Sequence, residues 1–362
     1  LLGCSFHVTH PALVQYSLAD KDLLYIWVMK PNGAIAFKTV NLKDNLRPIN
    51  DLITHSRQAI GVRAAIKISS TSGVSREDST LRDLRDLYKI LIEPIAAELP
   101  NDPNQRVIFI PQGELFLVPF PALKNAQGKY LIEQHTISSA PSIQTLNLTR
   151  KQRTVLPRAN TIPLIVGNPI MPRLKGETLL PLPGAEKEAL TIAQLFNTTA
   201  LIGGEATKST VLNRMKSASI IHLATHGLLN IENTGKDEIP GAIALAPSPK
   251  DNGLLTSKEI FDLKLNTNLV VLSACDTGRG KITGDGVVGL SRSFMAAGVP
   301  SIVVSLWAVN DSSTSVFMGE FYRNLKTTPN KAVALRQAML TTMQQYPNPS
   351  DWAAFSLVGE AE

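Results

Sequence analysis

The stretch Leu269-Val-Val-Leu-Ser-Ala-Cys275-Asp276-Thr277-Gly278 decides how this chain is read. Its first half is a short apolar run rich in β-branched residues, and it stops abruptly in a thiol, a carboxylate and a turn. Upstream, Ile220-Ile-His-Leu-Ala-Thr-His226-Gly227 has the same form. Each run is too short for a typical helix and predicts a buried strand with one chemically capable side chain at its carboxyl end. In open parallel α/β sheets, ligands and chemistry lie outside the carboxyl ends of the strands. If the two strands are neighbours, an imidazole and a thiol meet at one lip of the sheet.

Working outward, strand and helix patterns alternate. Strands are expected at Ile162–Val166, Ala200–Ile202, Ser301–Leu306 and Ala353–Leu357. Helices are expected after Pro181–Gly184, at Thr207–Met215, after the capping box Thr256-Ser-Lys-Glu259, and at Val287–Ala297, Ser313–Lys326 and Lys331–Met343. Such alternation means βαβ units, hence an α/β fold with a mostly parallel sheet and helices on both faces, three layers in all. The N-terminal region differs. Ala12–Leu18, Leu23–Met29 and Ile35–Val40 are separated by polar gaps and predict an antiparallel meander. A helix around 45–60, a turn-rich loop at Ser69–Ser75, a leucine-spaced helix from Ser79, a strand at Arg106–Ile110 and another at Ile132–Ser138 follow. A basic, proline-bearing linker at Lys151–Asn160 divides residues 1–155 from residues 156–362.

Bulk composition narrows the classes. With 362 residues and 44% hydrophobic content the chain can bury a large core, and 18% charged residues leave little room for disorder. The net charge of +6 is spread without a basic block, so nucleic-acid binding is not signalled. Only Cys4 and Cys275 are present, which excludes a disulfide framework and points to a reducing, cytoplasmic compartment. No apolar run approaches the ~20 residues of a membrane-spanning helix. The chain starts at Leu1, which reads as the edge of a longer protein, with Cys4 incidental.

Cys275 and His226 lie 49 positions apart, His first. A free thiol titrates near ~8.5, so a neighbouring imidazole is needed to produce the thiolate, and it can later protonate a departing amine. Gly227 allows close backbone approach, and its amide with that of Cys275 can hold a developing oxyanion. Either residue alone reads more readily as core. Their matching strand contexts make the pair. His222 shares the face of His226 but lies about 13 Å down the strand, so it is expected buried or hydrogen-bonded in the core. Other chemistries fail on detail. A cysteine phosphatase needs Arg where Lys281 stands, and the literal dinucleotide pattern Gly284-Asp-Gly286-Val-Val-Gly289 follows a polar loop instead of a strand. Two histidines and a cysteine without ligand spacing make no zinc site, so no metal and no cofactor are expected.

Together, His222-Leu-Ala-Thr-His226-Gly227, Leu272-Ser-Ala-Cys275-Asp-Thr-Gly278, Ser305-Leu-Trp307-Ala-Val-Asn-Asp311, Trp352-Ala-Ala-Phe355 and Pro111-Gln-Gly113 through Pro119-Phe-Pro121 resemble the CHAT domain of caspase-like, separase-related cysteine peptidases (clan CD). The resemblance spans about Val14 to Val358. It implies a caspase–haemoglobinase-like fold in which residues 1–155 form a non-catalytic part and 156–362 the peptidase part. It also implies Cys275 as nucleophile, His226 as general base, and Gly227 as an oxyanion donor. CHAT domains commonly follow tetratricopeptide repeats, so an upstream repeat module or regulatory protein is an expected partner, besides a protein substrate.

The substrate side is thinner. In some relatives the residue two before the cysteine is acidic and helps bind a basic side chain, but here it is Ser273. Asp311 is the candidate acid for Arg or Lys, its other role being a helix N-cap for Ser313 onward. Asp276 and Asp285 are lesser candidates, and Trp307 is either a groove wall or core. The expected activity is endopeptidase cleavage after a basic residue, gated by the glycine-rich Gly278–Gly286 stretch. The alternative is a catalytically silent scaffold for protein contacts, which would need neither Cys275 nor His226.

Overall fold

Alternating exposure along the first three apolar runs builds the meander: β1 (Ala12–Ala19), β2 (Leu23–Met29) and β3 (Ile35–Asn41), paired antiparallel in chain order. The β2–β3 turn depends on Gly33, whose φ of +86° is left-handed backbone and whose amide donates to Lys30 O at 2.9 Å. The computed structural model describes residues 10–19, 22–45, 47–60, 76–155, 162–174, 176–231, 239–273, 284–307 and 310–362. The Ser69–Ser75 loop lies outside them.

Helices α1 (Ile49–Ile60) and α2 (Arg76–Leu91) cover the meander, burying Leu52, Ile53, Leu84, Leu87 and Leu91. Pro94 ends the second helix as expected, continuing in a 3-10 turn at Glu93–Glu98. Strand β4 (Arg106–Ile110) runs parallel to β1, and β5 (Thr136–Ser139) parallel to β4. The expected strand at Ile132–Ser138 is therefore half a helical turn, α3 (Leu131–Gln134), and half a strand. The expected linker is entered through a helix, α4 (Ile143–Val155).

Beyond it come β6 (Leu164–Pro169), a small hairpin of β7 (Arg173–Leu174) and β8 (Glu177–Thr178), α5 (Pro183–Leu195), β9 (Leu201–Gly203), α6 (Lys208–Met215) and β10 (Ile220–Ala224). A second hairpin sheet follows, made of β11 (Gly227–Ile231), β12 (Ile239–Ala244) and β13 (Leu254–Thr256). Next are α7 (Ser257–Phe261), β14 (Leu269–Ser273), α8 (Gly284–Ala296), β15 (Ser301–Ser305), α9 (Asp311–Thr327), α10 (Lys331–Gln345) and β16 (Phe355–Gly359). The capping box is present: Thr256 Oγ1 accepts from Glu259 N, and the Glu259 carboxylate accepts from Thr256 N.

Eleven strands form one sheet in the order β3-β2-β1-β4-β5-β16-β15-β14-β10-β6-β9. Strands β1, β4, β5 and β16 run parallel to one another, and β15, β14, β10, β6 and β9 run parallel to one another, the two blocks meeting antiparallel at β16 and β15. Helices α5, α9 and α10 pack together on one face, and α7 and α8 pack with one another on the other. Covered on both sides, the central strands are apolar throughout, as Val270, Val271, Leu272 and Ile302, Val303, Val304 show. The Gly284, Gly286 and Gly289 pattern lies inside α8, so its first glycine makes no turn between a strand and a helix.

Candidate active site

His226 is placed by its neighbours in the chain. After β10 ends, Thr225 Oγ1 donates to Ala244 O at 2.7 Å, and the His226 carbonyl accepts from Ala244 N at 2.9 Å. These contacts turn the chain directly from β10 into β11. They make Gly227 and Ile243 a non-hydrogen-bonded pair of the β11–β12 ladder, which turns the Gly227 amide away from β12. The imidazole is buried, 7% exposed, and its Nε2 lies 2.7 Å from the carbonyl oxygen of Leu180. A carbonyl only accepts, so Nε2 carries the hydrogen and donates it. Nδ1 is then the atom with the basic lone pair.

Strands β10 and β14 are adjacent and parallel, with Ala224 opposite Ser273. The two strands therefore end at the same lip of the sheet. Cys275 and Asp276 follow in sequence but lie outside the described residues, as does Cys4.

Ser273 is half-buried and donates from Oγ to Glu188 Oε2 at 3.2 Å. Glu188, on α5, is 3% exposed, and its Oε1 faces His222 Nε2 at 3.0 Å, off the line of a well-aligned hydrogen bond. On the other edge of that ring, His222 Nδ1 lies 3.0 Å from the Tyr322 hydroxyl of α9. Burial, and then the Glu188 charge, push the Tyr322 hydroxyl well above its ordinary range. His222 is thus the core histidine that its position on the strand predicts. A buried polar chain Tyr322–His222–Glu188–Ser273 joins two helices to the two central strands.

Asp311 is the exposed first residue of α9. The N-cap belongs instead to Asn310, whose Oδ1 accepts from Ser312 N at 2.9 Å. The Asp311 side chain packs directly on Gly184, in the first turn of α5, where any Cβ would overlap it. Gly184 comes four residues after Leu180, so the segment that holds His226 also seats Asp311. Trp307 is in the core, 1% exposed, and donates its indole N–H to Ser350 O at 3.0 Å. Arg57 stands beside its ring, 5.8 Å from the centroid, and donates to Leu306 O at 2.7 Å and Leu117 O at 3.2 Å. No cluster of three or more His, Cys, Asp or Glu suited to a metal exists among the described residues, nor does a helix long and apolar enough to cross a membrane.

A family model described as the CHAT domain matches residues 81–360. The chain belongs to the CHAT domain family. Tetratricopeptide repeat protein 28 of Mus musculus and that of Homo sapiens are each 30% identical to it over 335 residues, covering 80% of this chain and 14% of the relative. The CHAT chain thus spans a small part of the curated relatives it matches. Among solved structures, the Saccharomyces cerevisiae separase–securin complex at 3.0 Å resolution has a TM-score of 0.57 and 13% identity, covering 96% of this chain and 30% of that one. Its 2.6 Å counterpart has the same TM-score of 0.57 at 12% identity. At that identity the likeness is one of fold, and the CHAT chain shares the mixed α/β architecture of the separase chain.

Three groups in this CHAT site had no place in the sequence reading. The Leu180 carbonyl is backbone, identical in every residue, and leaves no trace in a motif. Glu188 looks like an ordinary residue of an amphipathic helix, and only its neighbours make it a buried carboxylate. Arg57 arrives from the opposite half of the sheet.

Proposed function

We propose that this chain is a cysteine endopeptidase whose nucleophile is Cys275 and whose general base is His226. The observation that carries the reading is the His226 ring, held by the Leu180 carbonyl at the end of the strand beside the cysteine strand. A base oriented by a third group is the arrangement a thiol nucleophile needs. His226 Nδ1 takes the Cys275 proton, and the sulfur bonds to the scissile carbonyl carbon. The resulting oxyanion is held by the amides of Gly227 and Cys275. As the C–N bond breaks, the same proton passes to the departing amine, and water then releases the acyl group from sulfur.

Asp311 is the proposed acid for Arg or Lys before the cleaved bond, supported by its exposure and its seat on the α5 segment that orients the base. Ser273 and Asp276 flank the same site in sequence. A regulatory input from repeats or a partner protein fits the repeat proteins in which the matching region occurs. The test is covalent labelling with acyl-lysine and acyl-arginine thiol electrophiles. Wild type labels at Cys275, and Cys275→Ala and His226→Ala do not. Equal labelling of Cys4 and Cys275, or indifference to His226→Ala, removes the reading.

A further inference from the structure

The buried chain Tyr322–His222–Glu188–Ser273 takes no part in the steps above, yet each arm ends on an element that builds the dyad. Ser273 precedes Cys275 by two residues, and His222, on β10, precedes His226 by four. Glu188 lies on α5, whose approach segment supplies the Leu180 carbonyl and whose first turn receives Asp311. One carboxylate therefore spans the cysteine strand, the histidine strand and the helix that orients the base.

We infer that Glu188 is a positioning residue for the proposed dyad, acting through Ser273 and His222; the inference rests on the peptidase reading. A fold needs only apolar packing here, and replacing a buried pair of this kind by apolar side chains of similar volume is often neutral or stabilising. What apolar packing cannot supply is direction. The Ser273 hydroxyl fixes the end of β14 against α5, and the His222 ring fixes β10 against the same carboxylate. A small displacement between nucleophile and base is expensive, about 10- to 100-fold in rate for roughly 1 Å.

The experiment uses the full chain and measures the rate of Cys275 alkylation by iodoacetamide, which needs no substrate pocket, alongside Tm. The double variant Glu188→Leu/His222→Leu stays folded, with a Tm lowered by the orphaned Tyr322 hydroxyl, and alkylates at least about tenfold more slowly. Glu188→Gln, which can still accept from Ser273 and face His222, retains most of the wild-type rate. If the double variant does not fold, Ser273→Ala decides: it leaves the Glu188–His222 contact intact, and slowed alkylation supports the assignment. A folded double variant or Ser273→Ala with wild-type alkylation overturns it. Should alkylation of the wild type be indifferent to His226→Ala, the dyad itself fails and the positioning role falls with it. Dependence on His226 with no dependence on Glu188 or Ser273 overturns the positioning role alone.

Discussion

The Nε2 atom of His226 and the carbonyl oxygen of Leu180 lie 2.7 Å apart, which fixes both the tautomer and the direction of the ring. The Leu180 side chain, 72% exposed, has no part in this contact. Leu180→Ala is therefore expected to change stability by less than about 0.5 kcal/mol and to leave thiol labelling intact. Ring nitrogen NMR of the neutral imidazole checks the tautomer, with the hydrogen on Nε2 and not on Nδ1. A protonated Nδ1 in the neutral ring would contradict the assignment of the base.

Asp311 and Gly184 make a second test, because the helix turn has no room for a side chain where the carboxylate sits. Asp311→Asn should slow labelling by acyl-lysine and acyl-arginine electrophiles about 10- to 100-fold while leaving a neutral acyl electrophile unaffected. Gly184→Ala should do the same by expelling the carboxylate, and should lower stability by about 1–3 kcal/mol. Equal losses on basic and neutral electrophiles would place the acid elsewhere.

Glu360, just beyond β16, binds Arg106 of β4 and Arg150 of α4, each at 3.1 Å, and accepts from Ala361 N at 2.8 Å. Burial pushes its carboxyl up, but Arg106, the Ala361 amide and Arg150 prevail and hold it below the usual carboxylate range. A lowered folded pKa adds stability above the unfolded value and loses it as pH falls through the folded one. Glu360→Ala should destabilise by about 3 kcal/mol at pH 7, since it leaves Arg106 buried without its carboxylate. That difference should shrink as pH falls below the ordinary carboxylate range, which urea titrations across pH 7 to 3 would measure.

Lys331 gives a slope of the same sign, but as a buried charge whose cost is relieved on deprotonation. Desolvation lowers its pKa from 10.5 to about 8, with Arg153 and Arg106 adding to the shift and Glu360 and Glu362 opposing it. Between these values the unfolded chain holds more protons, so stability rises as pH climbs from about 8 to 10.5. Below about 8 the full burden of the buried charge is present, on the order of 3 kcal/mol. Lys331→Met should therefore melt higher than wild type at pH 7, with the gap closing through pH 8 to 10.5. A gap that widens with pH would refute the linkage.

The parts of this fold that were legible share a cause. Ile220–Ala224 and Leu269–Ser273 are apolar but for His222 and Ser273, a composition that suits a strand covered on both faces in a parallel sheet. Their carboxyl ends then fall at one lip by topology alone. Helix α4 was missed because Ile143 and Leu148 point to solvent, leaving no clear apolar stripe, and the β11–β13 hairpin because its strands follow the histidine without a break. Trp307 could not be assigned from sequence, since a tryptophan after a strand serves wall or core equally. Its bond to Ser350 settles its burial. Groups that act through backbone or through distant neighbours, such as Leu180 and Glu188, lie beyond any local pattern.

The position of β16 has a consequence for the order of events in folding. Among the described residues it is the last of sixteen strands in sequence but the sixth of eleven in the sheet, between β5 and β15. The meander and its helices can assemble early, from contacts close in sequence, and so can the parallel strands around β10. Neither group can close on the other until Phe355–Gly359 has been synthesised and inserted. Pairings of such long sequence separation form slowly, and until then both halves expose open sheet edges. The newly made chain is therefore at its most aggregation-prone just before its central strand arrives.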